Sequence, residues 1–397
     1  MLNVPLSLEF IYLLPGDVSR GYNDWDFKKL QSKLQAIKQR GRQAIVRINF
    51  GASCEALAGG DDHNPEPLSL PAWLQKHEEW VEYERVYENN RKVLYPGWDC
   101  NSCYPWFCNE LLRAVGGELD GDKRVAYLQG FVGHWAEGHV YNGKTQGFED
   151  DVRSGKIFPS KSQYQALLEN ASKAFDTLRW SVGISLGHEL YSPSNFRSLG
   201  NFGVFNDTWL DENSGTESWN ESLTRALGEG RWELAPRGGE ISWAGKSREN
   251  GLKLILEGTV LRKDHMTYMF GFDQDRYCYG HSPEDLARAS EKFGYNFEVS
   301  WKCATSGTDL FLRNNGVAPI YYPTFVSVGG NLVVKDGRRV DLSALLPNQS
   351  LFIFCEYSLL NTERPVLVCD RCVDGQTIPY EIIKYPTSSR KRQGLSS

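Results

Sequence analysis

The sequence predicts an α/β barrel followed by a β-sandwich, and three observations support this prediction. Short apolar runs alternate with amphipathic segments between residues 8 and 269, which is typical of parallel strands connected by helices. Several of these runs end in an acid, an amide or a histidine, as expected where the loops at one face of a barrel carry functional groups. From about residue 293, short strands separated by turns follow without intervening helices, which indicates a β-sandwich.

The first strand–helix–strand unit is the clearest part of the barrel. Residues 8–14 predict a buried strand that Pro15-Gly16 ends, 24–41 an amphipathic helix with an acidic first turn, and 44–50 the next buried strand. An open nucleotide-binding sheet would carry a glycine-rich phosphate turn after its first strand. Because that turn is missing from the sequence, a closed barrel fits better than an open doubly wound sheet.

The other elements of the barrel are predicted from the same apolar periodicity. They are helices at 71–90, 104–117, 160–177 and 252–261, and strands at 125–133, 178–186, 202–207, 231–240 and 265–269. This gives seven strands, and residues 91–98 are a candidate for an eighth.

Six short strands are predicted in the C-terminal part, with turns such as Asn315-Gly316 and Asp336-Gly337 between them. They lie at 296–303, 308–313, 324–328, 331–334, 350–355 and 365–369. We expect the barrel to span residues 1–292 and the sandwich residues 293–385. The basic tail, residues 386–397, is expected to be disordered.

Composition and charge restrict the class of partner. The chain has 397 residues, of which 41% are hydrophobic and 24% charged, with a net charge of −6. These values describe a globular protein and argue against nucleic acid or an anionic membrane as the main partner. No apolar run reaches the roughly 20 residues that span a bilayer. The N-terminal residues lack the features of a signal peptide, so we expect an intracellular protein, or a secreted one from which a preceding segment has been removed.

The nine cysteines include two C-x-x-C pairs, Cys100 with Cys103 and Cys369 with Cys372. Together they could hold zinc, but they fall in different predicted domains and no flanking pattern supports a zinc fold. We therefore expect local disulfides or thiols at these positions, no metal, and no cofactor.

The strand predicted at 125–133 runs directly into His134, Trp135, Glu137 and His139. A carboxylate beside a large aromatic side chain is typical of a sugar-cleaving acid, because apolar surroundings raise its pKa and the ring can stack on a sugar. The alternative is a helix cap or a buried ion pair. Asp207 and Glu240 end two further predicted strands, and glycoside cleavage requires two carboxyl groups. Ion pairs with Arg47 or Arg237 are the alternative for these acids.

Five segments resemble, in the same order, an uncharacterised family of glycosidase-like barrels. Gly130-Phe-Val-Gly-His-Trp-Ala-Glu137 is similar to its G-F-I-G-x-W-G-E strand, and Gly203-Val-Phe-Asn-Asp207 to its G-x-x-N-D strand. Further similarities are Pro236-Arg-Gly-Gly-Glu240 to P-x-G-G-E, Lys292-Phe-Gly-Tyr295 to L-G-Y-R, and Asn314-Asn-Gly-Val-Ala-Pro319 to N-x-G-x-A-P. The chain departs from the family at Ala136, Gly138 and Asn296, where the family has glycine, tryptophan and arginine. The resemblance implies a (β/α)8 TIM-like barrel followed by an immunoglobulin-like β-sandwich.

Three hypotheses about function follow. The first is a glycoside hydrolase acting on a polysaccharide or glycoconjugate, with Glu137 as general acid/base, Glu240 as nucleophile or base, and carbohydrate as its partner. The second is a non-catalytic carbohydrate-binding or surface protein on a degenerate barrel. The third is an assembly role through the sandwich. The candidate catalytic residues are Glu137, Glu240 and Asp207, and the candidate substrate-binding residues are His134, Trp135, His139, Asn206, Trp209 and Arg47.

Overall fold

The fold is that of a mixed α/β protein, as a computed structural model of the chain gives it. The residues that it describes are 7–50, 54–55, 70–86, 92–99, 101–130, 132–133, 153–188, 202–209, 216–241, 245–269, 282–356, 364–374 and 376–386. Within these ranges, no helix combines the length and the apolar character needed to cross a membrane.

Strands and helices occur in the following order. The strands are β1 (Leu8–Leu13), β2 (Ser19–Gly21), β3 (Asp24–Trp25), β4 (Gln43–Ile48), β5 (Cys54–Glu55), β6 (Glu82–Val86), β7 (Lys92–Pro96), β8 (Val125–Gln129), β9 (Trp180–Gly183), β10 (Phe202–Trp209), β11 (Arg237–Ile241), β12 (Phe297–Ala304), β13 (Gly307–Asn314), β14 (Thr324–Val328), β15 (Asn331–Leu332), β16 (Val334–Lys335), β17 (Arg338–Arg339), β18 (Ser350–Cys355), β19 (Val366–Cys369) and β20 (Tyr380–Ile382). The α-helices are Pro15–Val18, Lys28–Gln39, Cys103–Leu119, Lys161–Ala174, Thr216–Leu227, Gly245–Glu257, Thr259–Asp264 and Pro283–Ser290.

The central sheet has six parallel strands in the order β1-β4-β8-β9-β10-β11. Its order follows the chain, as expected when each connection crosses over on the same side. The sheet is curled, as shown by the contact between Arg47 on the second strand and Glu240 on the sixth. The described strands thus form a curled six-stranded parallel sheet, and the other two strands of the predicted eight are not among them.

Helices cover the outer face of this sheet. The helix Lys28–Gln39 buries Leu30, Leu34 and Ile37 against it, as the apolar periodicity predicted. The helices Cys103–Leu119 and Lys161–Ala174 pack on each other so closely that a Cβ on Gly116 would lie 2.4 Å from the carbonyl oxygen of Ala174. The predicted strands at 8–14, 44–50, 125–133, 178–186 and 202–207 and the helices at 104–117 and 160–177 are confirmed, with somewhat different ends.

The helix predicted at 71–90 is wrong, whereas the candidate strand at 91–98 is a strand but not one of the barrel. Instead of a helix at 71–90, a short 3₁₀ turn at Leu74–Lys76 is followed by β6, which pairs antiparallel with β7. Residues 91–98 therefore do not supply the missing barrel strand, since β7 belongs to a separate three-stranded sheet, β5-β7-β6. The alternation Glu82-Tyr83-Glu84 along β6, with only Tyr83 partly buried, is the period-2 pattern of a strand.

Two other predicted elements also differ. The strand expected at 231–240 starts only at Arg237, after a 3₁₀ turn at Glu229–Glu233. Residues 265–269 form no assigned strand, although Thr267 N–H donates to the carbonyl oxygen of Arg237 at 2.7 Å. They lie beside β11. The acids expected in the first turn of the helix predicted at 24–41 precede the observed helix Lys28–Gln39. One of them, Asp26, accepts a hydrogen bond from the backbone of Lys28.

Two C-terminal sheets, β18-β13-β12-β20 and β15-β14-β19, enclose a common apolar core. Five of the six predicted strands of this part are confirmed. The strand predicted at 331–334 is divided between β15 and β16, and β17 and β20 are two strands that were not predicted. Asp336 and Gly337 both have positive φ and connect β16 to β17, as the hairpin signal predicted. The predicted disordered tail falls almost entirely on residues 387–397, which lie outside the described residues.

The buried side chain of Asn314 stabilises the start of this C-terminal part. Its oxygen accepts hydrogen bonds from the backbone of Asn296 and Gly316, and its amide nitrogen donates to the carbonyl oxygens of Ala318 and Leu345. A Cβ on Gly316 would lie 2.5 Å from the backbone nitrogen of Asn296. The asparagine and glycine of the N-x-G-x-A-P segment therefore have structural roles.

Arg371 connects the C-terminal sheets to the curled sheet. Its guanidinium donates to the carbonyl oxygens of Asp120, Asp122 and Val125, at the start of β8. It also lies 5.0 Å from the ring centroid of Tyr322. One side chain thus donates to three backbone acceptors at the N-terminal edge of the parallel sheet.

Candidate active site

The site is centred on an ion pair between Arg47 and Glu240 in the concavity of the curled sheet. Each is the next-to-last residue of its strand, β4 and β11, so the pair lies at the C-terminal edge. Arg47 Nη2 is 3.1 Å from Glu240 Oε1, with the arginine side chain fully buried and the glutamate side chain 10% exposed. Strand alternation explains the position of Arg47, because its neighbours Val46 and Ile48 belong to the core on the opposite face.

Gln129 and Tyr268 extend the ion pair into a hydrogen-bonded network. Arg47 Nε donates to Gln129 Oε1 at 3.0 Å, and Gln129 Nε2 donates to the hydroxyl oxygen of Tyr268 at 2.5 Å. Gln129 is the last residue of β8. The network therefore joins the second, third and sixth strands of the sheet to residues 265–269, which include Tyr268.

Aromatic rings surround the guanidinium of Arg47. Its Cζ lies 4.8 Å from the ring centroid of Phe10 and 4.9 Å from that of Phe205. Burial among apolar rings strengthens electrostatic interactions and makes an unpaired charge costly. The guanidinium is therefore held in place by charge, by a directed hydrogen bond to Gln129 and by ring faces.

Burial raises the pKa of Tyr268 to about 12, against the effect of its hydrogen bonds with Gln129 and Ser181. The phenol is therefore protonated at neutral pH and retains a hydrogen to donate. The ring of Tyr268 also packs against β11, where a Cβ on Gly238 would lie 2.1 Å from it.

Two of the segments that resemble the glycosidase-like family contain glycines that other parts of the chain approach too closely for a side chain. In the P-x-G-G-E segment, Gly238 leaves room for the ring of Tyr268. In the G-x-x-N-D segment, a Cβ on Gly203 would lie 1.9 Å from the carbonyl oxygen of Pro236, so glycine allows β10 and β11 to pair. These glycines shape the sheet edge that carries Glu240.

Of the predicted site residues, the structure brings Arg47 and Glu240 together but places Asn206 and Trp209 elsewhere. Asn206 pairs with Gly239 in the sheet, and paired residues share a face, which is here the face opposite to Glu240. The indole of Trp209 is buried in the apolar cluster beneath the helix Gly245–Glu257, where its Nε1 donates to Asp264 Oδ2 at 2.7 Å. Trp209 does not line the concavity, contrary to the prediction that it would form part of a sugar subsite.

The other predicted site residues cannot be assigned a position in the site. His134, Trp135, Glu137 and His139 lie outside the described residues, and Asp207 is described only as part of the backbone of β10. Their roles stay predictions from the sequence.

Gln129 and Tyr268 were not predicted as site residues. A signal existed for Gln129, because it is the one uncharged hydrogen-bonding amide within the otherwise apolar stretch 125–133. Tyr268 gave no such signal, since an aromatic residue in an apolar segment is equally expected in a core. For metals, no cluster of three or more His, Cys, Asp or Glu side chains suited to an ion occurs in the part of the chain that the structure describes.

Comparison with known proteins adds no relative: no protein-family model matches the chain, and no curated protein shows significant similarity to it.

Proposed function

We propose that the protein is a glycoside hydrolase in which Glu240 is the nucleophile or general base and Glu137 is the general acid. The observation that supports it best is the Arg47–Glu240 pair at the C-terminal edge of a curled parallel sheet, where barrel enzymes carry their catalytic groups. A nucleophile or base must be ionised, and an arginine 3.1 Å away favours the ionised carboxylate.

The network has the properties that this chemistry requires. Arg47 fixes one oxygen of Glu240, and Gln129 and the aromatic rings fix Arg47, so the carboxylate keeps its orientation as charge develops on the sugar. Tyr268 supplies a neutral hydroxyl on the same face. With the general acid on the opposite side of the glycosidic bond, Glu240 would attack the anomeric carbon or activate a water molecule.

We extend the proposal to the fold: a complete barrel followed by an immunoglobulin-like sandwich. The curled sheet would be part of a (β/α)8 barrel whose seventh position is taken by residues 265–269, which already bond to β11 through Thr267 and Arg237. The two C-terminal sheets with their common core would form an immunoglobulin-like β-sandwich. Both statements rest on strand order and on the resemblance in sequence.

The test is turnover of a panel of aryl glycosides by the full chain and by Glu240→Gln. Glutamine keeps the shape and can still accept the hydrogen bond from Arg47, so the fold should persist. Loss of the ionised carboxylate should lower kcat by about 10²–10⁴-fold. Glu9→Gln is the matched control, because Glu9 also pairs with arginines, Arg40 and Arg42, but at the other end of the sheet.

The outcome also distinguishes the hydrolase from the non-catalytic alternative. A carbohydrate-binding protein would bind glycans without releasing product, and the Arg47–Glu240 pair, largely withdrawn from solvent, would then serve stability alone. If no glycoside on the panel is cleaved, or if Glu240→Gln cleaves as fast as the unaltered protein, the hydrolase assignment fails.

The proposed role of Glu137 as general acid can be tested separately, through the dependence of the rate on the leaving group. A general acid matters most when the leaving group is a poor one, so Glu137→Gln should slow cleavage of alkyl or sugar leaving groups by about 10²–10⁴-fold and that of a dinitrophenyl glycoside far less. An equal loss with both kinds of leaving group would contradict the acid role.

A further inference from the structure

Cys369 and Cys372 occupy the ends of a tight turn. β19 ends at Cys369, and the backbone N–H of Cys372 donates to the carbonyl oxygen of Cys369 at 3.1 Å. A four-residue turn closed in this way keeps its outer Cα atoms within about 7 Å of each other. A disulfide requires a Cα separation of about 4.4–6.8 Å, and the two thiols are already hydrogen-bonded to each other. The turn can therefore close a disulfide with little backbone movement.

Arg371, one of the two residues between them, fixes the turn on the curled sheet. The guanidinium of Arg371 bonds three carbonyl oxygens at the start of β8, and its own carbonyl oxygen accepts a hydrogen bond from Gln43 Nε2 at 2.8 Å. Because this anchor is independent of the sulfur atoms, the two cysteines stay adjacent whether they are thiols or a disulfide.

Both cysteines can be reached from a cavity. They are half-buried and line a space of about 940 Å³ between the N-terminal edge of the curled sheet and the C-terminal sheets, whose walls include Phe10, Tyr127 and Tyr322. A volume of this size accommodates a small organic molecule. A low-molecular-weight disulfide can thus reach the sulfur atoms.

The two thiols differ in reactivity. The hydrogen bond from Cys372 lowers the pKa of Cys369 to about 6 and, conversely, raises that of Cys372. Cys369 is therefore the first of the two thiols to ionise, and the thiolate is the form that attacks disulfides. By contrast, burial raises the pKa of Cys103 to about 11 and that of Cys108 further, so these two remain protonated.

We propose that Cys369 and Cys372 form a redox-active dithiol that exchanges with a low-molecular-weight disulfide through the cavity. The Cys369 thiolate attacks a sulfur atom of RS–SR, forms a mixed disulfide and releases one RS⁻. Cys372 then loses its proton to solvent and attacks the sulfur of Cys369, which releases the second RS⁻ and closes the intramolecular disulfide. The cysteines are oxidised by two electrons, and RS–SR is reduced to two thiolates. This inference does not depend on the proposed hydrolase activity.

The experiment uses the native full chain in glutathione buffers of increasing oxidised fraction, followed by alkylation with iodoacetamide and peptide mass spectrometry. We expect a disulfide between Cys369 and Cys372 whose occupancy follows the buffer ratio. In the reduced protein at pH 7, Cys369 should be alkylated more than tenfold faster than Cys103.

Variants separate the two steps. Cys372→Ser should stop the reaction at a glutathione adduct on Cys369, and Cys369→Ser should abolish exchange at Cys372. Cys103→Ser is the control and should leave the exchange unchanged. The proposal is overturned if the unaltered protein, with its circular dichroism intact, forms no such disulfide at any ratio, or if Cys369 is alkylated no faster than Cys103. These two measurements need no variant to fold.

Discussion

Replacing Arg47 with methionine removes the buried cation beside Glu240 while preserving most of the side-chain volume. Breaking a buried ion pair by removing one partner costs about 3–5 kcal/mol, because it leaves a buried charge without compensation. The fully buried guanidinium and the 10% exposed carboxylate, 3.1 Å apart, place this pair in that class. Loss of the bond to Gln129 adds about 1 kcal/mol. We therefore expect Arg47→Met to lower the free energy of unfolding by about 4–6 kcal/mol at pH 7.

Urea unfolding followed by tryptophan fluorescence measures this difference, and pH identifies its cause. Removing Arg47 should raise the folded-state pKa of Glu240 relative to the unaltered protein, because a neighbouring cation favours the ionised carboxylate. A raised folded pKa gives stability that is present below the unfolded pKa and lost as pH rises through the folded one. The deficit of Arg47→Met relative to the unaltered protein should thus be smaller at pH 4 than at pH 7, and Arg47→Met with Glu240→Gln should recover part of it. A deficit below about 1 kcal/mol, equal at both pH values, would refute the buried-pair reasoning.

Other predictions concern stability. Gly116→Ala should destabilise the protein by about 1–3 kcal/mol, because its Cβ would meet Ala174. Gly117→Ala, whose Cβ would have nothing within 4 Å, should stabilise the same helix by up to about 1 kcal/mol. Thermal melting of the two variants measures this difference, and equal shifts in melting temperature would contradict it. The hydrogen bond from Arg40 lowers the pKa of Glu9, so its contribution is present above the unfolded pKa and lost as pH falls through the folded one. Glu9→Gln should therefore cost about 0.2–1 kcal/mol at pH 7 and less at pH 3 in urea unfolding, and a loss that grows toward pH 3 would be inconsistent with the pair.

The parallel strands could be predicted because both faces of the sheet are covered. β4 and β8 are nearly continuous apolar runs, as buried parallel strands are. The helix predicted at 71–90 was wrong for the opposite reason. β6 carries polar residues between apolar ones, and the charges and tryptophans of this segment also suit an amphipathic helix. Only the antiparallel pairing of Tyr83 with Tyr95 shows which period applies, and pairing across a loop cannot be deduced from one sequence.

The site was predictable in part. Arg47 and Glu240 could be proposed because a charged residue inside an apolar strand needs a partner. That they pair with each other depends on the curl of the sheet, which brings the second strand to the sixth. Trp209 was misplaced because sequence does not reveal the register shift in β10 after Asn206, which determines the face that later residues occupy.

The contact of Arg371 with the start of β8 determines how the chain can be divided. A protein cut near residue 293 would lose the three hydrogen bonds that Arg371 donates to the carbonyl oxygens of Asp120, Asp122 and Val125. It would also remove Tyr322, whose hydroxyl bonds Ala126 on the same strand. The curled sheet and the C-terminal sheets should consequently unfold in one cooperative transition, and neither should be stable when expressed alone.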